Sequence, residues 1–245
     1  MQTLYPMIFK RKSFHWFLPF EPLSEKTLQS IYTQWDHLIP LIQDIRTAIR
    51  IVPISFTSCT RGEYCILIYS ERKQGYLQQV GYMGEQLDLW LASQNIGVCW
   101  YGVGKPKECT QDGLAFVIML AIAKQEETAF RKDYRKAKRK PVEQIWEGNF
   151  HAALAEIVRF SPSACNTQPW KVFAQAHILR VYRVPGKRGM MPARSVGFYT
   201  QIDIGIFLFI LELCLKNEGI SFQRSVQETF CSDNFGWLTA EYQCP

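Results

Sequence analysis

The densest concentration of candidate chemistry in the chain is Ser161–Trp170, SPSACNTQPW. Pro162 fixes φ, and Ser163 and Asn166 place short polar side chains beside backbone N–H groups. Gln168 adds an amide, and Pro169–Trp170 leads towards a strand. Groups of this kind suit a flat, polar-edged heterocycle held by many hydrogen bonds. The alternative is an ordinary polar turn between a helix and a strand, and residue chemistry alone favours that plainer reading.

A second concentration is RKDYRKAKRK, residues 131–140, with seven basic residues and one acid. The chain carries a net charge of +6, and outside this run its 21 basic and 21 acidic residues balance. Such a run is a solvated face, a nucleic-acid patch or a clamp for one phosphate. Tyr134 is the only aromatic in it, which is poor for base stacking and argues against nucleic acid as a partner. His15, His37, His151 and His177 are scattered, so no metal site is expected. Neither Cys165 nor Cys99 has a nearby histidine in sequence, and both read as structural. No Rossmann or Walker glycine motif is present.

The elements that must position these groups are legible in outline. Ser24 can cap a helix with Leu28, Ile31 and Trp35 on its apolar positions. Tyr64–Tyr69 (YCILIY) reads as a strand. Tyr76 to Asn95 reads as a long helix with Gly97 as its C-cap. Gly113–Ala123 is a continuous apolar run; periodicity leaves strand and helix open, and its flanks favour a buried strand. Phe150–Arg159 reads as a helix, and Lys171–Phe173 with Ile178–Tyr182 as a hairpin. Residues 203–218 read as a very apolar helix, capped by Asp203 and ended by Gly219.

The two long helices align without a gap. Val80–Gly97 lies over Ile202–Gly219 at an offset of 122 residues, matching Asn95 to Asn217 and Gly97 to Gly219. An internal duplication explains this, with halves at 1–141 and 142–245. Two such helices would pack like the self-complementary interface of a homodimer, made within one chain.

Composition sets outer bounds. The 245 residues are 47% hydrophobic and 14% aromatic, enough for a sizeable core. No signal peptide is read at the start. The run Ile204–Leu215 is interrupted by Glu212 and falls short of the roughly 20 residues of a membrane span. The expectation is a soluble, cytoplasmic protein without a membrane partner. None of the eight cysteines forms a CxxC pair, so reduced thiols are expected, and a Cys59–Cys65 disulfide is disfavoured.

Read together, these segments resemble one family. RFSPSACNTQPW is similar to the SPS-x-x-N-x-QPW segment of the FMN-dependent nitroreductases. Arg11–Phe17 (RKSFHWF) resembles their N-terminal R-x-S-x-R/K-x-F motif. Leu89–Val103 (LWLASQNIGVCWYGV) resembles their long helix and the glycine loop after it. Leu120–Pro141 resembles their closing stretch, with Ala121–Ala123 in place of the usual aromatic-containing turn.

The resemblance implies an α+β, nitroreductase-like fold in two pseudo-symmetric halves, each with a mixed or antiparallel sheet flanked by helices. It implies FMN as cofactor and NAD(P)H as transient co-substrate. Arg11, Lys12 and Ser13 would hold the FMN phosphate and ribityl chain, and Arg139 would give a second phosphate contact. His15 stands where the family has Arg or Lys, so one fixed charge is lost. Gly102 would bring its N–H near the flavin's reactive nitrogen. Pro162, Ser163 and Asn166 would line the ring's edge. The phosphate motif occurs only in the first half and the SPS motif only in the second. One complete flavin site, drawn from both halves, is therefore expected, the second being degenerate. The flavin carries the chemistry and no side chain is catalytic. The implied activity passes hydride from NAD(P)H to a small acceptor such as a nitroaromatic, quinone or flavin. The alternative is an FMN-binding sensor or carrier without efficient turnover. A monomer with an internal pseudo-dimer is expected, and a further dimer is left open.

Overall fold

Apolar runs and their periodicity decide the elements. Runs rich in β-branched and aromatic residues, such as YCILIYS and ILRVYR, become strands, and the long apolar stretches 76–93 and 196–217 become helices. The structure, a computed structural model, describes residues 4–186, 188–231 and 236–245, without the side chains of 228–231. In chain order the first elements are α1 (Met7–Lys10), α2 (Glu25–Asp36), β1 (Thr47–Pro53), β2 (Tyr64–Ser70), α3 (Tyr76–Ser93), β3 (Ile96–Trp100), β4 (Thr110–Gln111) and β5 (Leu114–Lys124). There follow α4 (Val142–Ile145), β6 (Trp146–Glu147), α5 (Ala155–Val158), β7 (Trp170–Gln175), β8 (Ile178–Arg183), α6 (Val196–Asn217), β9 (Gln223–Cys231) and β10 (Gly236–Gln243).

The chain divides into two compact units. The N-terminal unit is Pro6–Tyr76 with Met83–Tyr134; the C-terminal unit is Met1–Tyr5, Leu77–Tyr82 and Arg135–Pro245. In the N-terminal unit the strand order is β1-β2-β5-β3, antiparallel throughout, with β4 pairing β5. In the C-terminal unit it is β6-β7-β8-β10-β9, where β6 joins β7 in parallel and the rest are antiparallel. Leaving out β4 and β6, the two sheets have the same order and senses. Each has its long helix between the second and third strands in sequence. That shared topology is the structural form of the two pseudo-symmetric halves.

Several expectations hold at residue level. The Ser24 hydroxyl accepts the Thr27 N–H at 3.2 Å and starts α2, which buries Ile31 and Trp35. β2 is buried from Cys65 to Ser70, as a strand covered on both faces must be, which is why its sequence is continuously apolar. The run that left strand and helix open is β5. β8 alternates buried and half-buried positions.

Other expectations are corrected. α3 ends at Ser93, and Asn95, not Gly97, takes the left-handed position after it, at φ +56°. Gly97 lies inside β3, where a Cβ would come within 2.9 Å of the Phe14 ring, so its role is close packing. α6 starts at Val196, seven residues before Asp203, which therefore sits inside the helix and caps nothing there. Phe150–Arg159 forms only a 3-10 turn at Ala152–Leu154 and the single turn α5. α6 is long and apolar enough to cross a membrane by length and composition. Every residue from Ile202 to Leu215 is buried, which accounts for that composition without lipid.

The helix register is also corrected. Within the C-terminal unit, Leu77–Tyr82 crosses α6 closely enough to exclude side chains. A Cβ on Gly81 would lie 2.0 Å from the Ile202 carbonyl oxygen, and one on Gly205 would lie 2.0 Å from that of Gln78. These two contacts are equivalent under an offset of 124 residues, which takes Gly81 to Gly205 and Gln78 to Ile202. The same offset takes Ser93 to Asn217, where both helices end, and Asn95 to Gly219, both left-handed. Apolar matching alone suggests 122, because a row of interchangeable apolar residues aligns almost as well two positions away. The glycines cannot shift without a clash.

Candidate functional site

In the N-terminal unit, the strand-like segment after α1 carries the first group of candidates. Ser13 bridges Val98 on β3, and the Phe14 N–H donates to the Val98 oxygen at 2.9 Å. Phe14 is buried and packs on Phe17 and Phe130, which anchors the segment. Arg11 points inward. Its Nε donates to Asp88 Oδ2 at 2.9 Å, and Glu85 lies at 3.8 Å. Burial opposes the guanidinium charge, but Asp88 and Glu85 outweigh it and leave its pKa raised. Burial also pushes the Glu85 carboxyl well above the usual carboxylate range. Asp88 Oδ2 accepts the Trp100 Nε1–H at 2.9 Å as well, so one carboxylate ties Arg11 to the last residue of β3. Arg11 thus reaches a candidate ligand atom only indirectly, through the 3.4 Å bond that its Nη2 donates to Ser13 Oγ.

Lys12 is placed differently. Its ammonium lies 4.6 Å from the Phe14 ring centre, and its pKa is lowered by burial and by Arg131. Arg131 is half-buried where its backbone N–H donates to the Lys10 oxygen at 3.0 Å. Its guanidinium is lowered to about 10 by burial and by Arg11. Among the described residues, neither Lys12 nor Arg131 has a carboxylate partner. Partly desolvated cations that repel one another form a place that an anion would stabilise. Sequence reasoning missed Arg131, although it opens the basic run, because a charge run does not show which of its members turns inward.

His15 is exposed, and Arg61 Nη1 donates to its Nδ1 at 3.0 Å. A fixed positive charge, that of Arg61, therefore stands beside His15. Nothing in the loop sequence TSCTRG singles that residue out. Gly102 lies in the turn after β3, where the Gly104 N–H donates to the Tyr101 oxygen at 3.2 Å.

In the C-terminal unit, the SPS segment is a strained loop. Cys165, Asn166 and Gln168 all adopt left-handed backbone, at φ +50°, +55° and +47°. Non-glycine residues there cost on the order of 1 kcal/mol each and collect at functional sites. Side chains hold the shape. Ser163 Oγ accepts the Gln168 N–H at 2.9 Å. Asn166 Nδ2 donates to the Lys138 oxygen, and its Oδ1 accepts Arg139 Nη1, both at 3.0 Å. Arg139 Nη2 reaches the Phe160 oxygen at 3.3 Å, and Gln168 Oε1 accepts the Lys140 N–H at 2.8 Å. Pro162 is buried at the loop's start. The structure therefore brings Arg139, Pro162, Ser163 and Asn166 together, and Arg11, Lys12, Ser13, His15 and Gly102 around β3. Arg11 and Asn166 spend their polar groups on the protein, which makes them positioning groups in this conformation.

Asp203 holds the loop from below, since its Oδ1 accepts the Ala164 N–H at 2.9 Å. Burial raises its carboxyl from 3.8 to about 8, against the opposing effect of the Ala164 bond and the nearby Thr167 hydroxyl. Between those values the folded protein holds a proton that the unfolded chain has lost. This contribution is complete below about pH 4 and is lost as pH rises through about 8. In Asp203→Asn the urea midpoint should fall less between pH 5 and pH 8.5 than in the parent. Equal falls in the two proteins would remove Asp203 from the account.

A protein-family profile described as "Putative TM nitroreductase" matches residues 3–214. The chain belongs to this nitroreductase family. Among solved structures, it is similar to a putative nitroreductase from Thermotoga maritima MSB8. The TM-score is 0.60 at 18% identity, over 98% of this chain and 92% of that one, a likeness of fold. A nitroreductase family protein from Clostridium novyi NT gives a TM-score of 0.42 at 15% identity, over 51% of this chain and 86% of that one. A putative NADH dehydrogenase/NAD(P)H nitroreductase from Parabacteroides distasonis ATCC 8503 gives 0.46 at 12% identity, over 60% and 99%. Those two scores carry no structural argument. No curated protein matches the chain. The nitroreductase family places the chain among oxidoreductases of a kind that generally bind flavin.

Proposed function

We propose that this nitroreductase-family chain binds one FMN and reduces small electron-poor acceptors (nitroaromatics, quinones or another flavin) at the expense of NAD(P)H. The observation that carries the reading is the Lys12–Arg131 pair. It offers two partly desolvated cations, without carboxylate partners among the described residues, at the segment that resembles the family's phosphate motif. The residues present therefore fit a phosphate-bearing cofactor. FMN, when bound, would supply the hydride relay between nicotinamide and acceptor.

The chain's own residues would bind and orient. Lys12 and Arg131 would hold the phosphate, with Ser13 as a hydroxyl donor beside them. Gly102 would leave the approach to the ring free of a side chain. Pro162, Ser163 and the left-handed backbone of the SPS loop would present polar groups to the ring's edge, with Arg139, Asn166 and Asp203 fixing that loop's shape. Arg61 would provide fixed charge beside His15.

The absorbance spectrum of the purified protein tests this, recorded with added FMN and then with NADPH or NADH. Flavin bands at one FMN per chain, bleached by a reduced nicotinamide, are the expected result. Binding without bleaching would favour a flavin sensor or carrier, a reading kept alive by His15 and by the Ala121–Ala123 segment. Absence of flavin binding would remove the proposal.

A further inference from the structure

Outside the groups assigned above, three thiols meet in the N-terminal unit. Cys59, Cys65 and Cys99 belong to one buried cluster beneath the loop that joins β1 to β2. The loop is organised around Cys59. Its N–H donates to Thr57 Oγ1 at 3.0 Å, and that hydroxyl lies 3.6 Å from Cys65 Sγ. The Arg61 N–H donates to Cys59 Sγ at 3.4 Å, and the Cys59 thiol in turn faces the Arg61 oxygen at 3.4 Å. The Arg61 guanidinium reaches Cys99 Sγ at 3.6 Å and His15 Nδ1 at 3.0 Å. All three thiols are free, and Thr57 Oγ1 touches both the Cys59 N–H and the Cys65 sulfur.

We propose that Cys59 and Cys65 form a peroxide-responsive dithiol, with Cys59 as the attacking sulfur and Cys65 as the resolving one. The polarity follows from their surroundings. The neighbouring Cys65 thiol, together with the N–H and charge of Arg61, brings the Cys59 thiol down to about 7 against the effect of burial. The neighbouring Cys59 and burial push the Cys65 thiol up. A partly ionised sulfur beside a protonated one is the arrangement that attacks an electrophile and then resolves the product.

The chemistry balances. The Cys59 thiolate attacks one oxygen of a hydroperoxide and the O–O bond breaks. Cys59 becomes a sulfenic acid, and the other oxygen leaves as water or alcohol after taking a proton. Cys65 sulfur then attacks the sulfenic sulfur, an S–S bond forms, and the hydroxyl leaves as water with the Cys65 proton. Two thiols lose two electrons in total, and one peroxide gains them. The bond would close a ring from Cys59 to Cys65 that contains Arg61, so the state of the pair reaches His15 through that guanidinium.

The test uses the full-length protein and hydrogen peroxide, followed by alkylation and non-reducing trypsin digestion. Cleavage after Arg50, Arg61 and Arg72 separates the two cysteines into peptides 51–61 and 62–72. The expected product is these two peptides joined, released by reduction, and formed on the order of tenfold faster than oxidation of the exposed Cys109. In Cys65→Ser, Cys59 should instead be trapped by dimedone as the sulfenic acid. Alkylated, unlinked Cys59 at peroxide levels that oxidise Cys109 would overturn the proposal. So would a Cys59–Cys99 link, or dimedone labelling of Cys109 but not Cys59 in the variant.

Discussion

Arg131→Ala should weaken FMN binding by roughly tenfold to a hundredfold while leaving the flavin-free protein at least as stable as the parent. The first half follows from the proposed phosphate role. A charge-assisted bond to a phosphate is worth about 1.5–3 kcal/mol, and each 1.4 kcal/mol is about a factor of ten in affinity. The second half follows from the geometry. Arg131 is pressed by burial and by Arg11, it in turn depresses Lys12, and no carboxylate among the described residues compensates it. Removing it relieves repulsion in the empty protein. Arg11→Ala should behave in the opposite way, since it strands Asp88 and the buried Glu85 without their cation and lowers stability first. FMN titration by fluorescence quenching, paired with urea unfolding of the flavin-free proteins, separates the two. An unchanged FMN affinity in Arg131→Ala would place the phosphate elsewhere.

Glu212→Ala should destabilise the protein by about 3–5 kcal/mol, the range for removing one partner from a buried ion pair. Glu212 is almost fully buried in α6 and is satisfied from three sides. It accepts the Tyr82 hydroxyl at 2.8 Å, the Tyr242 hydroxyl at 2.9 Å and Arg224 Nη1 at 2.6 Å. Alanine would leave a guanidinium and two phenols without their acceptor in a region from which water is largely excluded. Glu212→Gln keeps an acceptor in place and should cost markedly less. Urea denaturation of the two variants measures the difference. A loss under about 1 kcal/mol for the alanine variant would show that water or a neighbouring group replaces the carboxylate.

Glu212 also marks where sequence reading stops. In the sequence it only interrupts an apolar run; in the fold it is the hub that joins Tyr82, Tyr242 and Arg224, residues 130, 30 and 12 positions away. The site shows the same division. The SPS segment was legible as a polar loop fit for a heterocycle, because its composition is local. That its shape depends on three left-handed residues, braced by residues 138–140 and by Asp203, was not legible. Those partners come from distant elements.

What the sequence alone determined is whatever depends on neighbours in the chain. That covers the Ser24 cap, the strands read at 64–69 and within 113–123, the hairpin of β7 and β8, the fold class and the family resemblance. Local backbone bonds, apolar patterning and flanking residues suffice for the elements, while the fold class follows from the motifs that carry the resemblance. Tertiary structure decided the start of α6, the left-handed role of Asn95 in place of Gly97, and the offset of 124 set by Gly81 and Gly205. It also decided that Arg11 turns to Asp88, that Arg131 is left facing other cations, and that Arg61 stands by His15. The physical reason is common to all of these. Steric exclusion at 2–3 Å and charge pairing in a partly dry interior are set by groups that meet only after the chain has folded, and no local pattern encodes which groups those will be.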